Sequence, residues 1–457
     1  MNNPVVTTDV DVRHSMSRDA SGLELVPDAV ARPTSRGEVI GLLEEAVRDR
    51  MPVTAAGGQT STTGASLADH GLLLSLRGVG GVHDIDRTTG TVRVGPGELL
   101  GPLKRTLAAE GWLLAPDPTS EEDCTIGGAI ACNASGARSL RYGPIRSHVR
   151  GLTVALMNGD VLELRRPSLE KNTVGYAPVH DLVDWFVGSE GTLGVILEAE
   201  LSLMPLPAWV VGLGIPFPSE SAALAFVVAA RESRALDPRC LEFLDSGAFD
   251  IARTAALDAN WASDARALIY TELSGRDGDE PPLDAWLELA SAHAALDDDI
   301  RVYEGEAALR DARRIRHAVP ATMHERAAPH RAKGGRRIST DWAVPYRALG
   351  DALAASRRAV DARGLEQPVT FGHAGNGHPH QNFVARDTAE LERITDAVGE
   401  TLNAVIALGG TVAAEHGIGK IKARWLPLQM SATQRAMMRA IKRELDPHNL
   451  LAQGNIL

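Results

Sequence analysis

Four of the fourteen histidines in this 457-residue chain fall between positions 373 and 416, namely His373, His378, His380 and His416. Neutral imidazole is the commonest metal ligand in proteins, and a carboxylate completes many such sites. Glu415 stands beside His416, and His378 and His380 are two residues apart in what reads as the start of a strand, so that their side chains share one face. This clustering favours a divalent metal site over separate structural roles.

Three segments in the first half of the chain are rich in glycine and other small residues. The loop Gly57–Gly64 follows a predicted strand over Met51–Ala55 and offers hydroxyls and backbone N–H groups, the chemistry of a phosphate-binding nest. It lacks the Gly-Lys-Ser/Thr of a Walker loop. The segment Pro118–Asn158 and the turn Gly188–Gly194 fit either ligand contact or tight backbone packing. The spacing of the glycines within Gly95–Gly101 departs from the dinucleotide-binding fingerprint, which argues against a Rossmann fold.

Composition narrows the class of protein. The formal net charge of −12 argues against nucleic-acid binding. The three cysteines, Cys124, Cys132 and Cys240, have spacings that suit neither zinc nor iron–sulfur ligation, and they fit a reducing compartment. No secretory signal and no apolar run long enough to form an integral membrane segment is visible. We therefore expect a cytoplasmic protein, and peripheral association with a membrane stays open.

Periodicity and turn signals predict a mixed helix and strand organisation. Thr34 or Ser35 is expected to cap a helix with Glu38, and strands and helices alternate up to a boundary at Pro205 and Pro207. The second half alternates amphipathic helices with strands, as in an α+β domain, and includes a basic helix over Ala307–His317. A closing helix is predicted over Ala436–Glu444.

The three glycine-rich segments, in this order and with Arg141-Tyr142-Gly143 after the second, carry a resemblance. The chain resembles the FAD-linked D-2-hydroxy-acid dehydrogenases and oxidases of the vanillyl-alcohol oxidase and p-cresol methylhydroxylase superfamily, among them glycolate oxidase and the D-lactate and D-2-hydroxyglutarate enzymes. The resemblance implies an α+β fold, with a two-part FAD-binding domain over residues 1–207, a substrate or cap domain over 208–416, and a helical segment over 417–457 that returns to the FAD-binding domain.

The same resemblance implies which residues contact FAD. The first segment is expected to hold the pyrophosphate, and the other two line the ribityl chain and the isoalloxazine. Non-covalent FAD is expected because the first loop contains no histidine for attachment. The expected contacts are Ala56, Gly57, Gly58, Gln59, Thr60, Ser61 and Gly64; Pro116, Asp117, Thr119, Gly127, Gly128, Ala131, Asn133, Ser135, Gly136, Tyr142 and Gly143; and Gly188, Glu190, Gly191, Gly194, Val195 and Ile196.

The resemblance also assigns the catalytic groups. His373, His380 and Glu415 are the expected ligands of a divalent metal ion, with zinc the expected element, whereas His378 stands where relatives often have Asn. His416 is the expected general base and Arg316, before Pro320, the expected partner of the substrate carboxylate. The implied reaction is oxidation of a D-2-hydroxy acid by hydride transfer to flavin N5.

Substrate size and partners are less constrained by the sequence. Relatives that act on D-2-hydroxyglutarate often carry a lysine where Ser339 stands, and Trp342 adds apolar bulk, so a monocarboxylate such as D-lactate or glycolate is favoured over D-2-hydroxyglutarate or D-malate. Lys333, Arg336 or Arg337 are alternative cations for a second carboxylate. A separate electron acceptor (a quinone, a cytochrome or an electron-transfer flavoprotein) is expected, and a homodimer or a subunit of an oxidase complex fits equally well.

Three rival classes remain. A metal-dependent hydrolase would leave the glycine-rich segments unexplained. A non-catalytic flavin subunit of an oxidase complex would have no use for the histidines and Glu415 together. An ether-lipid synthase of the same superfamily uses the flavin differently.

Overall fold

A computed structural model describes residues 5–256 and 258–457 of the chain, without the side chains of residues 315–317. The strands, in chain order, are β1 (Val6–Thr7), β2 (Ala29–Ala31), β3 (Val53–Ala56), β4 (Leu72–Ser75), β5 (Val82–Asp86), β6 (Thr91–Val94), β7 (Trp112–Leu113), β8 (Val149–Ala155), β9 (Val161–Arg165), β10 (Val195–Ser202), β11 (Met204–Pro205), β12 (Trp209–Phe217), β13 (Cys240–Asp245), β14 (Ala267–Gly275), β15 (Arg301–Glu304), β16 (Arg337–Ser339), β17 (Val369–His373) and β18 (His378–Val384).

The α-helices, in chain order, are α1 (Val10–Ser15), α2 (Arg36–Asp49), α3 (Leu100–Ala109), α4 (Ile126–Ala131), α5 (Ser139–Tyr142), α6 (Val183–Phe186), α7 (Glu220–Glu232), α8 (Ser246–Ala255), α9 (Leu283–Ala292), α10 (Gly305–Ala327), α11 (Leu349–Asp361), α12 (Thr388–Ala407), α13 (Leu426–Gln429) and α14 (Ala432–Leu445). The mixed helix and strand organisation predicted from the sequence is confirmed. No helix in the described part of the chain is long and apolar enough to cross a membrane.

The chain divides into two compact units. The first contains Met1–Ser135, Gly143–Leu206 and Glu415–Leu457, and the second contains Gly136–Tyr142 and Pro207–Ala414. The short segment Gly136–Tyr142 therefore groups with the second unit, although the sequence analysis placed it in the FAD-binding domain.

The first unit contains two main sheets. One has the order β1-β2-β4-β3, in which β2, β4 and β3 are parallel. The other is antiparallel with the order β5-β6-β10-β8-β9. Helix α2 covers the first sheet because Val39, Leu42, Leu43 and Ala46 recur at helical spacing and are buried. Its predicted cap is confirmed: Ser35 accepts from the N–H of Glu38, and the Glu38 carboxylate accepts from the N–H of Thr34.

The tail after α14 packs into the first unit. The N–H of Val53 donates to the Leu450 carbonyl and the N–H of Ala452 to the Val53 carbonyl, each at 2.8 Å, so the tail extends the pairing of β3. The buried Lys442 ammonium donates to the carbonyls of Thr192 and Leu451 as well as to Asp446. These bonds join the tail to the strand before the first glycine-rich loop and to the third glycine-rich turn.

The second unit is built on one antiparallel sheet of order β15-β12-β14-β13-β17-β18-β16. Helix α10 is longer than the predicted Ala307–His317 and includes Pro320. Proline usually ends a helix by removing an N–H donor, but buried Val319 and Met323 pack into a core with α8. This burial outweighs the local preference of proline, and the helix continues to Ala327.

Candidate active site

A hairpin of the second unit presents three histidines on one face of its sheet. Strands β17 and β18 pair so that His373 lies opposite His378, and Phe371 opposite His380. Directly opposed residues and residues two apart share a face, so the three imidazoles point the same way. Their ring centroids are 4.5–5.4 Å apart, and all three side chains are buried. The sequence-based prediction that His378 and His380 share a face is confirmed.

Each histidine has a protein acceptor beside one ring nitrogen. Nδ1 of His373 lies 2.7 Å from Oε1 of Glu242, and Nδ1 of His380 lies 3.4 Å from the Thr340 carbonyl. Nε2 of His378 lies 3.1 Å from Oδ1 of Asp341. An acceptor on Nδ1 sets the tautomer with the proton there, so that Nε2 of His373 and His380 carries the lone pair that a metal ligand needs.

Glu415 and His416 follow directly on the last residue of the second unit. The N–H of Ala414 donates to the Asp341 carbonyl at 2.8 Å, which holds the chain beside the histidine hairpin at this point. Within the second unit, two groups of side chains bring their ligand atoms within 4.8 Å of one another: His373, His378 and His380, and Asp341 with His380. Imidazoles with a carboxylate are the donor set of a zinc-like site, so these residues fit the expected metal.

Three residues in or beside these groups were missing from the sequence-based ligand prediction. His378 belongs to the first of these groups, although the resemblance implied no ligand role for it. Asp341 and Glu242 are nearly fully buried carboxylates beside the histidines. The signal for Glu242 was an acidic residue between the apolar Leu241 and Phe243 in the fully buried strand Cys240–Asp245, where a buried charge requires a partner.

The edge strand β16, next to β18, places a cationic side chain, Arg337, on the same face of the sheet as the histidines. Ser339 lies opposite Asn382 where β16 pairs with β18, and Arg337, two residues earlier, shares that face. Nε of Arg337 donates to Oδ1 of Asn382 at 2.8 Å. Burial lowers the pKa of Arg337 to about 10, and among the described side chains it makes no ion pair.

The first unit brings the three glycine-rich segments together. Gly58 packs so closely on the Asp123 carbonyl, just before α4, that a Cβ would collide with it. The N–H of Gly188 donates to the Ile130 carbonyl and that of Glu190 to the Ala131 carbonyl, at 3.0 and 2.8 Å. The third segment therefore lies against the helix of the second.

The first loop has the features of an anion site. Gln59 adopts a left-handed conformation with φ of 55°, as do Asn133 (51°) and Glu190 (51°) in the other two segments. Left-handed non-glycine residues are strained and concentrate at binding sites. The backbone N–H groups of four consecutive residues donate to no acceptor in the described part of the chain, and they suit a pyrophosphate: Gly58, Gln59, Thr60 and Ser61.

The remaining predicted cofactor residues differ in their surroundings. Val195 and Ile196 begin β10 and are buried in the apolar cores of the first unit. Tyr142 lies in the second unit, where its hydroxyl accepts from Nε of Arg239. Gly136 also belongs to the second unit, and Thr119 is exposed. The side chain of Arg316, the expected carboxylate partner, lies outside the described residues.

The turn after Glu415 is held within the first unit. Oε1 and Oε2 of Glu190 accept from the N–H groups of Ile418 and Gly419 at 2.5 and 2.7 Å. The Thr63 hydroxyl donates to the His416 carbonyl at 3.4 Å, and Nζ of Lys422 donates to the Gly417 carbonyl at 3.1 Å. The candidate base, His416, therefore begins a turn whose backbone is held by several hydrogen bonds.

Comparisons with known proteins identify the family. Residues 27–165 match the model of an FAD binding domain, and residues 206–456 match the model of the FAD linked oxidases, C-terminal domain. Glycolate oxidase subunit GlcD of Bacillus subtilis is 31% identical over 447 residues, covering 94% of this chain and 89% of the relative. D-2-hydroxyglutarate dehydrogenase of Xanthomonas citri pv. viticola is 31% identical over 440 residues with the same shares covered. D-lactate dehydrogenase of Anaerostipes hadrus is 28% identical over 443 residues, again with the same shares covered.

A solved structure of alkyldihydroxyacetonephosphate synthase superposes with a TM-score of 0.75 over 99% of this chain and 84% of that one. At 19% identity this likeness establishes the fold alone. The fold and the matched FAD binding domain define a flavin-dependent oxidoreductase, as the sequence predicted. The chain belongs to the FAD-linked oxidase family.

Proposed function

We propose that this enzyme oxidises a D-2-hydroxy acid to the 2-oxo acid, with non-covalently bound FAD, a divalent metal ion and His416 as general base. The observation that carries the proposal is the set of three buried histidines on one sheet face, two of them with an acceptor on Nδ1, in a chain with a matched FAD binding domain. The names of the relatives, glycolate oxidase, D-lactate dehydrogenase and D-2-hydroxyglutarate dehydrogenase, support the class of substrate.

The protein residues then have separate roles. When bound, the flavin accepts hydride and the metal ion supplies Lewis acidity toward the substrate oxygens. His373, His380 and Glu415 would hold that ion, and Glu242 and the Thr340 carbonyl orient the two imidazoles. His416 takes the proton of the substrate hydroxyl, a task for which imidazole is the side chain most often used. Arg316 would bind the α-carboxylate through its planar guanidinium.

A monocarboxylate is the proposed substrate, because Ser339 stands where a lysine would bind a second carboxylate. A dicarboxylate such as D-2-hydroxyglutarate or D-malate is the second candidate, favoured by the half-buried Arg337 on the same face as His380 and Asn382. Electrons would leave the reduced flavin for a separate acceptor, namely a quinone, a cytochrome or an electron-transfer flavoprotein.

Anaerobic mixing of the purified holoprotein with a panel of D- and L-2-hydroxy acids tests the proposal. Bleaching of the flavin absorbance by one D-enantiomer, and loss of this bleaching after chelator treatment, is expected. A flavin that stays oxidised with every member of the panel, in metal-loaded protein, would contradict the proposed reaction. A purified protein without flavin would instead favour the metal-dependent hydrolase.

A further inference from the structure

The carboxylate of Glu190 is directed at a backbone turn. Glu190 belongs to the third glycine-rich segment and is 6% exposed. Its two oxygens accept separately from the N–H groups of Ile418 and Gly419. These N–H groups lie two and three residues after His416. Gly417 lies so close that a Cβ there would be 2.5 Å from Oε1 of Glu190.

Residues of the first unit therefore form hydrogen bonds with the backbone of the turn at each position from His416 to Gly419. Thr63, in the first glycine-rich loop, donates to the carbonyl of His416, and Lys422 donates to the carbonyl of Gly417. Glu190 supplies the acceptors for the next two N–H groups. Backbone hydrogen bonds at four consecutive residues fix the backbone of the turn, and with it the direction of the Cα–Cβ bond of His416.

Glu190 is itself held in place on both sides. Its N–H donates to the Ala131 carbonyl at 2.8 Å, and its carbonyl accepts from Nδ2 of Asn455 at 3.2 Å. Its φ of 51° is a strained conformation for glutamate, which persists only where surrounding contacts over-determine it. Burial raises the pKa of Glu190, while the two N–H groups lower it by stabilising the carboxylate.

We propose that Glu190 is a positioning residue for His416, and that its carboxylate sets the base through the backbone of Ile418 and Gly419. The inference rests on the proposed function, in which His416 removes the hydroxyl proton. It reassigns the carboxylate of Glu190 from the expected contact with FAD to the turn that carries the base. Because Glu190 lies in a segment expected to line the flavin, one residue links the cofactor loop to the base.

Glu190→Gln tests the proposal with little change in shape. The amide keeps one acceptor but places an NH₂ against an N–H of the turn, so one of the two bonds is lost. We expect FAD and metal content to be retained and the rate of flavin reduction at saturating substrate to fall about 100-fold, as a misplacement of about 1 Å can cause. The substrate concentration for half-maximal reduction should change little, and a solvent deuterium isotope effect should appear or grow as proton removal becomes slower.

Glu38→Gln is the matched control, since Glu38 also accepts a backbone N–H in the first unit, from Thr34 at the start of α2. This variant should reduce its flavin at the wild-type rate. Unchanged reduction kinetics in Glu190→Gln would overturn the proposal. Loss of FAD in Glu190→Gln, with wild-type kinetics in the fraction that retains FAD, would also overturn it and return the residue to cofactor binding.

Hydrogen–deuterium exchange separates this inference from the proposed function. In Glu190→Gln the amides of Ile418 and Gly419 should exchange faster than in the wild type, whatever the substrate. Unchanged exchange there would contradict the positioning contact even if the enzyme oxidises a hydroxy acid. Failure of the wild-type flavin to react with any hydroxy acid, together with faster exchange in the variant, would refute the base assignment and with it the catalytic role of Glu190.

Discussion

Nδ1 of His373 and Oε1 of Glu242 lie 2.7 Å apart, and both side chains are almost fully buried. The two residues are 131 positions apart in the sequence and meet because β13 pairs with β17. A carboxylate on Nδ1 of a histidine fixes the ring orientation and raises the basicity of Nε2. Under the proposed function, in which His373 is a metal ligand, Glu242 would therefore orient this imidazole and raise its basicity toward the ion.

Glu242→Gln should weaken metal binding. The amide can still accept the Nδ1 proton but carries no charge, so we expect metal affinity to fall about 10- to 100-fold. Titration of the chelator-treated protein with zinc, followed by calorimetry, measures this affinity. Glu304→Gln, on an exposed position of β15 in the same sheet, is the control and should bind metal as the wild type does. Equal affinity in the Glu242 and Glu304 variants would contradict the orienting role.

His380→Ala should remove the divalent ion and most turnover while the FAD spectrum stays intact. The flavin is expected to bind segments of the first unit, whereas His380 lies in the second. Elemental analysis, the visible spectrum and turnover are measured on the same sample, with His83→Ala on the partly exposed β5 as a control. Full activity in a chelator-treated, metal-free wild-type sample would show that no metal is needed.

Intact FAD should be released when the yellow protein is precipitated with acid. The loop from Gly57 to Gly64 contains no histidine to form a covalent bond with the flavin. The supernatant should contain FAD by chromatography, and the pellet should be colourless. Yellow colour that stays with the pellet would indicate covalent attachment.

Substrate size can be resolved by steady-state kinetics with paired variants. If the substrate is a monocarboxylate, D-lactate or glycolate should have a higher kcat/KM than D-2-hydroxyglutarate or D-malate. In that case Arg337→Leu should leave the order unchanged, and Ser339→Lys should improve the dicarboxylates. A charge-assisted contact is worth about 1.5–3 kcal/mol, which corresponds to a change of about 10- to 100-fold.

A dicarboxylate substrate would give a different and equally specific result. A higher wild-type kcat/KM for a dicarboxylate, with a loss of about 10- to 100-fold in Arg337→Leu, would replace the monocarboxylate by the second candidate. Arg331→Leu is the control for removing an arginine from the same region, since Arg331 is exposed. It should change neither preference.

Local patterns predicted much of the fold and part of the candidate site. The cap at Ser35, the closing helix before the tail and the shared face of His378 and His380 depend on neighbours in sequence, and each is confirmed. The partnership of Glu242 with His373 depends on strand pairing across more than a hundred residues, which no local pattern contains. Helix α10 continues past Pro320 because tertiary burial outweighs a local preference.

Glu190 illustrates the same limit within the cofactor segments. The glycines around it indicated proximity to a ligand, and the sequence could not show that its carboxylate accepts from Ile418 and Gly419, more than two hundred residues away. The sequence therefore predicted the segment in which Glu190 acts, but it did not predict which groups its carboxylate contacts.

The pairing of β3 with the tail has a consequence for biosynthesis. Val53 bonds to Leu450 and Ala452, and Lys442 bonds to the Thr192 carbonyl, so the first unit is complete only after residues near 455 have left the ribosome. The second unit has all its residues by Ala414. Domains usually fold in the order of their synthesis. In this chain, however, the first unit contains the residues that are translated first, and its packing is completed after that of the second unit.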